Sequence, residues 1–519
     1  MDMGSVPEDV RRDFELAREA SRLTIGSLFR QTARSWPDRV SLQAGDIQVT
    51  YAELDQRTDR LCSYLKGRGV LRGDRIAILS ENRFEYVELL IAAAKMGVIA
   101  ACQNWRLSDD ELHHCLELVG PKLLFTSPLH QGAAARCDHI APSLMFGPDY
   151  EAALDAALQV PVEGDCDSED GVVILYTSGT TGMPKGALIS QRAEIARAMI
   201  QMTDTPTAAS DAFVAWAPLF HMASVDAVFM KLIQGGKVIL TAGFDGAELA
   251  SIVSRERLGW LVLMPGMITP FIAAMEASGA SVAGVKWTGA MADLVPREQI
   301  AAVTRLLGAP YLNSFGSTET GLAPASRGII EVGVVPEKLD KLRSSFCSIR
   351  LVGSDDVEVP NGEPGELAIR SPALFSGYWN NPDANQKDFR GGWFHMGDVF
   401  SRNPNGTLSF VDRSKYLIKS GGENIYPAEI ERVLMAEPMV AEAAVVRKVD
   451  PRWGEVPVAF VVRRDESLTA DALHARCAAQ IARYKLPKEI HFVDEAELPR
   501  STTGKIKRHD LEQRIAGKL

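Results

Sequence analysis

Apolar and polar positions along the first 125 residues alternate between the period of a strand and that of a helix. Short apolar runs at 75–79, 98–102 and 122–125 are typical of buried strands, and residues 51–67 and 84–96 have helical spacing. Thr50 with Glu53, and Ser108 with Glu111, have the spacing of a capping box at a helix start. This alternation predicts a parallel sheet with helices on its faces, an α/β fold. Residues 130–168 lack such a period and are expected to be irregular surface.

The alternation resumes after residue 170. It predicts helices at 191–200 and 225–233, and strands at 172–175, 237–241, 260–264, 285–288 and 310–313. From about residue 366, glycine- and proline-rich turns predict a small antiparallel region. The last hundred residues have the pattern of an α+β unit, with helices at 427–436 and 470–481 and strands at 441–447, 458–462 and 489–493.

A stretch of glycine and hydroxyl residues directly follows the apolar run 172–175. It consists of Thr177, Ser178, Gly179, Thr180, Thr181 and Gly182, followed by Met183-Pro184-Lys185-Gly186. Glycine lets the backbone approach a ligand, and N–H groups, hydroxyls and an ammonium form an anion site. The stretch predicts a polyphosphate loop, with a flexible linker as the alternative. It does not fit the kinase and GTPase P-loop, because Pro184 lies where that pattern requires Gly.

Composition narrows the class of protein. The 519 residues are 46% hydrophobic and 24% charged, as is ordinary for a globular protein, and the formal net charge of −11 argues against a nucleic-acid partner. Seven scattered cysteines predict a reducing, cytoplasmic location rather than a disulfide framework. The charged N-terminus lacks the apolar region of a signal peptide, and the apolar stretch 260–275 is interrupted by Pro265 and Pro270. We therefore expect core rather than a transmembrane segment.

The glycine and hydroxyl stretch resembles the phosphate-binding loop of the adenylate-forming superfamily. That family comprises acyl- and aryl-CoA synthetases, adenylation domains of peptide synthetases and firefly luciferase. The resemblance extends from about residue 24 to 507, with the motifs in the family's order. It implies a large N-terminal domain (1–413) of layered αβαβα sheets with a β-barrel-like subdomain. It also implies a small mobile α+β C-terminal domain (414–519), with Lys415 as the hinge.

Residues 313–320 resemble the family's second nucleotide motif. In the family an aromatic ring stacks on adenine, a threonine hydroxyl meets the α-phosphate and a glutamate holds Mg²⁺. These roles carry over to Phe315, Thr318 and Glu319, although the family often has Tyr at the position of Phe315. A carboxylate with phosphate oxygens suits a hard cation. The alternative is a turn with a surface glutamate. The further residues expected at the ATP are Asn313, Ser314, Gly316 and, on a weaker match, Gly289.

Three later motifs complete the resemblance. Asp398 matches the ribose-binding position, and Arg413 would add a ribose or phosphate contact. Gly421 and Gly422 match the glycine loop that lines the passage of the pantetheine thiol, and an interdomain linker remains the competing interpretation. Lys505 matches the catalytic lysine, a cation that would lie between the attacking carboxylate and the α-phosphate. Its alternative is a solvated basic tail.

His221 occupies the family's gate beside the acyl carboxylate. Domains that activate α-amino acids usually have Phe-Asp there, so Phe220-His221 favours a simple carboxylic acid. The sequence leaves open where the nearby Asp226 points. Apolar residues in 221–229, 264–268 and 289–291 are the expected acid pocket.

The resemblance implies an ATP-dependent acyl-CoA synthetase. It would form acyl-AMP and pyrophosphate from a carboxylic acid and then transfer the acyl group to CoA, with ATP, Mg²⁺ and CoA as cofactors. The expected acid is aryl, alicyclic or a medium-chain fatty acid. The alternatives are loading of a carrier protein, a luciferase-type oxygenase and a catalytically silent binding protein. The expected partners are the small molecules alone, with no nucleic acid, and a homodimer is left open.

Overall fold

A computed structural model describes residues 8–161, 166–177, 183–264, 266–420, 423–500 and 506–517, without the side chains of 8–11, 14, 18 and 294. The described residues divide into two compact units. Unit 1 contains the residues up to Ser348 together with Arg370–Lys387, and unit 2 contains Ile349–Ile369 and the residues from Asp388 onward. The expected domain boundary between residues 413 and 414 lies inside unit 2 and stays a prediction.

The described residues form sixteen α-helices. They are α1 (Glu8–Ala20), α2 (Ile25–Ser35), α3 (Tyr51–Gly67), α4 (Phe84–Met96), α5 (Asp109–Val119), α6 (Gln131–Ala135), α7 (Pro148–Asp155), α8 (Gln191–Asp204), α9 (Met222–Gln234), α10 (Gly246–Arg255), α11 (Ile268–Ser278), α12 (Arg297–Leu307), α13 (Pro382–Asp388), α14 (Pro427–Met435), α15 (Ala470–Gln480) and α16 (Arg508–Ile515). None of these helices is both apolar and long enough to span a bilayer.

The same residues form twenty-five strands. They are β1 (Val40–Ala44), β2 (Ile47–Thr50), β3 (Arg75–Leu79), β4 (Ile99–Cys102), β5 (Leu123–Thr126), β6 (Ser143–Met145), β7 (Gly171–Thr177), β8 (Lys185–Ser190), β9 (Ala212–Ala215), β10 (Val238–Leu240), β11 (Leu258–Leu261), β12 (Val285–Thr288), β13 (Tyr311–Leu312), β14 (Phe315–Ser317), β15 (Gly321–Ala325), β16 (Ile329–Ile330), β17 (Ser348–Val352), β18 (Pro364–Arg370), β19 (Phe394–Arg402), β20 (Leu408–Arg413), β21 (Ile418–Ser420), β22 (Glu423–Ile425), β23 (Val440–Asp450), β24 (Gly454–Arg463) and β25 (Glu489–Phe492).

Unit 1 contains two largely parallel sheets. The first has the order β6-β5-β3-β4-β7-β8, and its last pair is antiparallel. The second has the order β16-β13-β12-β11-β9-β10-β1-β2, with antiparallel pairs only at its two edges. The predicted parallel sheet architecture is confirmed, and the chain forms two such sheets.

Helices α2, α4, α8 and α9 form the layer between the two sheets. Helix α4 contacts β4 and β7 of the first sheet, α9 contacts β9 and β10 of the second, and α2 contacts α4, α8 and α9. Helix α5 packs outside the first sheet, and α10, α11 and α12 pack outside the second. The layers are therefore helix, sheet, helix, sheet, helix, as the resemblance implies.

Most of the predicted elements are observed within one or two residues. The capping boxes at Thr50 and Ser108 are both present, and Gly97 ends α4 in the left-handed conformation that favours glycine. Helix α4 is buried on nearly every face because it lies between the sheets. The strand expected at 260–264 instead ends at Leu261, and α10, α11 and α12 were not predicted.

The expectation of irregular surface at 130–168 is wrong for residues 131–155. Helix α6, strand β6 and helix α7 lie there, and Phe146 and Tyr150 are fully buried. Their rings pack against Phe125 of β5 and against each other. These elements have only three to eight residues, which is too few to show a period in the sequence.

Unit 2 contains two sheets. Strands β17-β18-β19-β20 form a four-stranded sheet, with β18, β19 and β20 antiparallel, as the turn-rich sequence predicts. Strands β22-β21-β24-β23 form the second sheet, which β25 extends by pairing parallel with β24. One face of this sheet packs on α14 and α15, and the other on α16.

Candidate active site

The predicted polyphosphate loop joins two paired strands of unit 1. Strands β7 and β8 are antiparallel, with Tyr176 opposite Gly186 and Thr177 opposite Lys185. The chain therefore leaves and re-enters the sheet at one point, and the half-buried Lys185 stands at the base of the loop. The residues of the loop itself lie outside the described part of the chain: Ser178, Gly179, Thr180, Thr181 and Gly182.

The second nucleotide motif is a tight hairpin formed by β14 and β15. Phe315 pairs with Ala325, and Ser317 pairs with Gly321. A Cβ on Gly316 would lie 1.9 Å from the Gly321 carbonyl oxygen, so this hairpin requires glycine there. The turn carries Thr318, half-buried, and Glu319, which is 9% exposed. Phe315, expected at the adenine, is 4% exposed.

Tyr378 connects these two hairpins. Its hydroxyl donates a hydrogen bond of 3.0 Å to Oε1 of Glu319. The Lys185 ammonium lies 4.3 Å from the centroid of the same ring, in cation–π geometry. The predicted phosphate-binding lysine and the predicted metal-binding glutamate therefore contact one tyrosine side chain, the lysine at the ring face and the glutamate at the hydroxyl.

The Asn313 side chain is held by protein groups. Its Nδ2 donates to the carbonyl oxygens of Leu339 and Asp340 at 3.0 and 3.1 Å, and its Oδ1 accepts from Lys341 at 2.7 Å. The fully buried Lys341 ammonium also lies 2.5 Å from Asp293. The side chain of Asn313 thus fixes the strand end that leads to Phe315.

Gly289 follows β12 with a φ of +76°. A Cβ there would lie 2.0 Å from the ring of Tyr311, whose hydroxyl donates to the Ala290 carbonyl oxygen at 2.9 Å. The sequence predicts Gly289 at the ATP and residues 289–291 in the acid pocket. In this chain the Tyr311 ring fills the space beside Gly289, which is the physical reason for glycine.

His221 is the N-terminal capping residue of α9. Its Nδ1 accepts a hydrogen bond of 3.3 Å from the Ala223 backbone N–H. A ring nitrogen that accepts carries no proton, so the neutral imidazole has its proton on Nε2. The half-buried ring therefore holds the start of the helix through Nδ1.

Arg197 of α8 joins three segments beneath the Thr318 turn. Its side chain is 1% exposed. Nε donates to the Ala373 carbonyl oxygen at 3.1 Å, Nη2 to the Thr318 carbonyl oxygen at 2.9 Å, and Nη1 to both carboxylate oxygens of Asp226 at 3.3 Å. Asp226 thus points away from solvent and is paired with this guanidinium.

The predicted ribose-binding pair lies in unit 2. Asp398 of β19 and Arg413 of β20 are register partners, and Arg413 Nε donates to Asp398 Oδ1 at 3.0 Å. Asp398 is 2% exposed, and the Arg413 side chain is 41% exposed. A buried carboxylate beneath a partly exposed guanidinium can accept hydroxyl hydrogen bonds while the cation faces outward.

The expected hinge residue lies in a short turn after β20. The Lys415 carbonyl oxygen accepts from Arg447 at 2.6 Å, and its ammonium lies 4.9 Å from the Tyr416 ring centroid. The neighbouring Asp412 accepts from the Ala428 backbone N–H at 2.8 Å. Burial raises the pKa of Asp412, and the Arg508 guanidinium opposes that shift.

The remaining predicted residues lie outside the described part of the chain, namely Gly421, Gly422 and Lys505. Their neighbours are described. Ser420 and Glu423 pair at the end of the β21–β22 hairpin, and Arg500 and Ile506 form an antiparallel bridge.

A family model for AMP-binding enzymes matches residues 29–379, and the model for the AMP-binding enzyme C-terminal domain matches residues 429–505. The chain belongs to the AMP-binding enzyme family. It is thus an adenylate-forming enzyme of the acyl-CoA synthetase group, as its motifs indicate.

This AMP-binding enzyme has curated relatives of nearly equal length. It is 35% identical over 495 residues to a feruloyl-CoA synthase from Amycolatopsis sp, which covers 95% of this chain and 99% of the relative. It is 35% identical over 497 residues to an indoleacetate–CoA ligase from Aromatoleum aromaticum, covering 93% and 96%. A solved o-succinylbenzoate CoA synthetase from Bacillus subtilis, in complex with its acyl-adenylate intermediate, is 28% identical. Its TM-score is 0.84, with 95% of this chain and 98% of that chain covered.

The AMP-binding enzyme contains two site residues that sequence reasoning missed. In the sequence, Tyr378 stands in Gly377-Tyr378-Trp379, within the glycine-rich region that predicts turns. Arg197 lies in a helix whose sequence shows no feature pointing to the turn at Thr318, which is 121 residues away. Only the fold brings these residues to the site, and no local pattern could have identified them.

The charge cluster beneath the Thr318 turn holds two carboxylates and one guanidinium. Glu194 Oε1 lies 3.9 Å from Arg197 Nη1, and neither of its buried carboxylate oxygens has a hydrogen-bond partner among the described residues. Burial raises the pKa of Glu194 well above its usual range, and the Asp226 charge adds to this while Arg197 opposes it. Burial also raises the pKa of Asp226, and its two hydrogen bonds from the Arg197 guanidinium oppose that shift.

We predict that Glu194→Gln raises thermal stability more at alkaline than at acidic pH. A raised native pKa gives stability that is present below the unfolded value, about 4.3, and is lost as pH rises. The variant lacks this loss, so its melting temperature should exceed that of the wild type by a margin that grows from about pH 5 to about pH 8. Thermal melts followed by circular dichroism measure this margin. The exposed Glu276→Gln on α11 is the control and should show none. A margin for Glu194→Gln that does not change with pH would contradict the prediction.

Proposed function

We propose that this AMP-binding enzyme is an acid–CoA ligase that activates an aromatic carboxylic acid as its acyl-adenylate and then transfers the acyl group to free CoA. The proposal rests on the contacts of Tyr378 with Lys185 and Glu319. These contacts bring an ammonium from one predicted nucleotide motif and a carboxylate from the other to the same side chain. Its relatives' names support the acceptor and the class of acid.

In the first step, a carboxylate oxygen of the acid attacks the α-phosphorus of ATP. A phosphorus–oxygen bond forms, and the bond from the α-phosphorus to pyrophosphate breaks. The acid and the triphosphate are both anions, so positive charge between them stabilises the transition state more than the ground state. Lys185 supplies this charge at the polyphosphate, and Lys505 is assigned by resemblance to the attacking oxygen.

Glu319 fits the role of a magnesium ligand. Mg²⁺ is usually bound through one or two carboxylates together with substrate phosphates, and this carboxylate is already held on one oxygen by Tyr378. The ion, when bound, would neutralise phosphate charge during the displacement. Thr318 lies beside Glu319 on the same turn and is assigned to the α-phosphate, and Phe315 is assigned to the adenine.

In the second step, the CoA sulfur attacks the carbonyl carbon of the acyl-adenylate. A carbon–sulfur bond forms, the carbon–oxygen bond to AMP breaks, and the thiol loses its proton. Asp398 and Arg413 are assigned to the ribose, and Gly421 and Gly422 to the passage of the pantetheine arm. Between the two steps, rotation of the C-terminal domain about Lys415 would withdraw Lys505 from the acyl-adenylate and bring Gly421 to it.

The residues around the expected acid pocket favour a carboxylic acid without an amino group. The Asp226 carboxylate is bound to Arg197, so it does not offer itself to an α-ammonium. Phe220 and Met222, which flank His221, are buried and apolar. The acids in the names of the relatives, ferulate, indoleacetate and 2-succinylbenzoate, each contain an aromatic ring. We therefore propose an aryl acid as the substrate, rather than an alicyclic or medium-chain acid.

A panel of acids tests the substrate and the acceptor together. With MgATP and CoA, we expect aryl-propenoic and arylacetic acids to yield CoA thioesters, with kcat/KM about tenfold or more above that of acetate or hexanoate. Liquid chromatography with mass detection identifies the thioester. Reactions with a phosphopantetheinylated carrier protein in place of CoA are the matched comparison. Exclusive use of short polar acids, or acyl transfer only to the carrier, would contradict the proposal.

A separate prediction concerns Lys505. Lys505→Ala should slow acyl-adenylate formation about a hundredfold, the scale of losing one preorganised transition-state contact. It should leave thioester formation from supplied acyl-adenylate unchanged. Single-turnover assays of each half-reaction measure the two effects, and the exposed Lys507→Ala is the matched control. Equal losses in both half-reactions would refute the assignment.

A further inference from the structure

Tyr378 is fixed more firmly than its place in a turn suggests. Its backbone N–H donates to Asn385 Oδ1 at 2.7 Å, and its carbonyl oxygen accepts from Asn385 Nδ2 at 2.9 Å. On both sides of it the chain bonds to β8: Leu188 N–H donates to the Gly377 carbonyl oxygen, and Trp379 N–H donates to the Gly186 carbonyl oxygen. The side chain is 8% exposed, and its ring meets Phe375 edge-on at 4.9 Å.

The segment that carries Tyr378 also holds the backbone of the Glu319 turn. The Phe375 N–H donates to the Glu319 carbonyl oxygen at 2.9 Å. Arg197 bridges the Thr318 carbonyl oxygen of the turn and the Ala373 carbonyl oxygen of the segment. The segment and the turn are therefore linked three times: by the Phe375–Glu319 backbone bond, by Arg197 and by the hydrogen bond from the Tyr378 hydroxyl to the Glu319 carboxylate.

The hydroxyl contact selects one orientation of the Glu319 carboxylate. A carboxylate has two oxygens, and a donor on Oε1 leaves Oε2 for a cation. A magnesium ion demands near-ideal octahedral geometry, so a ligand that rotates costs affinity. Hydrogen-bond partners behind metal ligands typically contribute ten- to a hundredfold to metal binding or activity.

The ring face has a second contact. Among the described residues, no carboxylate oxygen lies within 4 Å of the Lys185 ammonium, which instead rests on Tyr378. A cation held over an aromatic face keeps its hydrogen-bond donors for another partner, whereas a salt bridge to Glu319 would neutralise both groups. The Lys185 ammonium thus contacts the Tyr378 ring rather than the Glu319 carboxylate. The ammonium can therefore bind phosphate, and the carboxylate can bind a metal.

We propose that Tyr378 is a positioning residue that orients Glu319 toward the divalent cation of the bound nucleotide and holds Lys185 apart from that carboxylate. This inference rests on the proposed function, because it assigns Glu319 to a metal held with ATP. Tyr378 itself touches neither the acid nor the reacting phosphorus in this assignment.

The test replaces the hydroxyl and keeps the ring. With the full-length Tyr378→Phe variant, Mn²⁺ binding is measured by electron paramagnetic resonance in the presence of the non-hydrolysable α,β-methylene-ATP. We expect the Kd for Mn²⁺ to rise about tenfold or more. Acid-dependent exchange of pyrophosphate into ATP should need correspondingly more Mg²⁺, while KM for the acid stays within about twofold of wild type.

Two further variants separate positioning from packing. Tyr51→Phe removes another buried hydroxyl, one bonded to the Leu232 and Gly236 carbonyl oxygens, and should lower the melting temperature without changing the Kd for Mn²⁺. In a Glu319→Ala background, which removes the acceptor, Tyr378→Phe should not raise the Kd for Mn²⁺ further, because its hydroxyl acts through that carboxylate.

The outcomes are distinguishable. Unchanged Mn²⁺ affinity in Tyr378→Phe, in a wild type that does exchange pyrophosphate, would overturn this inference alone. It would also be overturned if Tyr378→Phe raised the Kd for Mn²⁺ as much in the Glu319→Ala background as in the wild type. A wild type that never exchanges pyrophosphate would remove the proposed function, and this inference with it.

Discussion

The segment from Pro372 to Trp379 is bonded along one side to β8 and along the other to the turn at Thr318 and Glu319. Hydrogen bonds from Leu188, Ser376 and Trp379 pair it with β8, and a bond from Phe375 secures it to the Glu319 backbone. This segment and Arg197 of α8, the helix that follows β8, both link the β7–β8 hairpin to the hairpin that carries Glu319. The chemistry proposed here needs both on one nucleotide, so their spacing is the constraint on which the site depends.

Buried cations secure the walls of this site. Arg197 uses all three of its nitrogens on different segments, and Lys341 joins the Asn313 side chain to Asp293. Removing water from a charge is costly unless hydrogen bonds replace it, and both cations are fully buried. Such contacts are directional, and apolar packing is not. Charged groups in these positions therefore specify where a backbone turn lies. Their burial lowers the free energy of unfolding, most clearly at Glu194, whose buried carboxylate has no hydrogen-bond partner among the described residues.

Part of this arrangement could be predicted from the sequence, because the residues that determine it lie within a few positions of one another in the chain. The capping boxes and the strand before the glycine and hydroxyl stretch follow from short motifs. The resemblance to a known family points to Asp398 and Arg413 one by one, and the fold makes them register partners. The rest depends on contacts between distant residues. The direction of Asp226 is set by Arg197 on another helix, and the need for glycine at 289 is set by the Tyr311 ring. The roles of Tyr378 and Asn313 are likewise set by partners tens of residues away.

In the proposed mechanism, two hairpins that lie far apart in the sequence hold one MgATP so that an acid can displace its pyrophosphate. The most direct measurement is isotope exchange of pyrophosphate into ATP by the wild-type protein, without CoA, in the presence and absence of an aryl carboxylic acid. We expect exchange that requires both the acid and Mg²⁺ and that Glu319→Gln strongly reduces. Absence of exchange with every acid of a broad panel would contradict it, as would exchange that proceeds equally well without any acid.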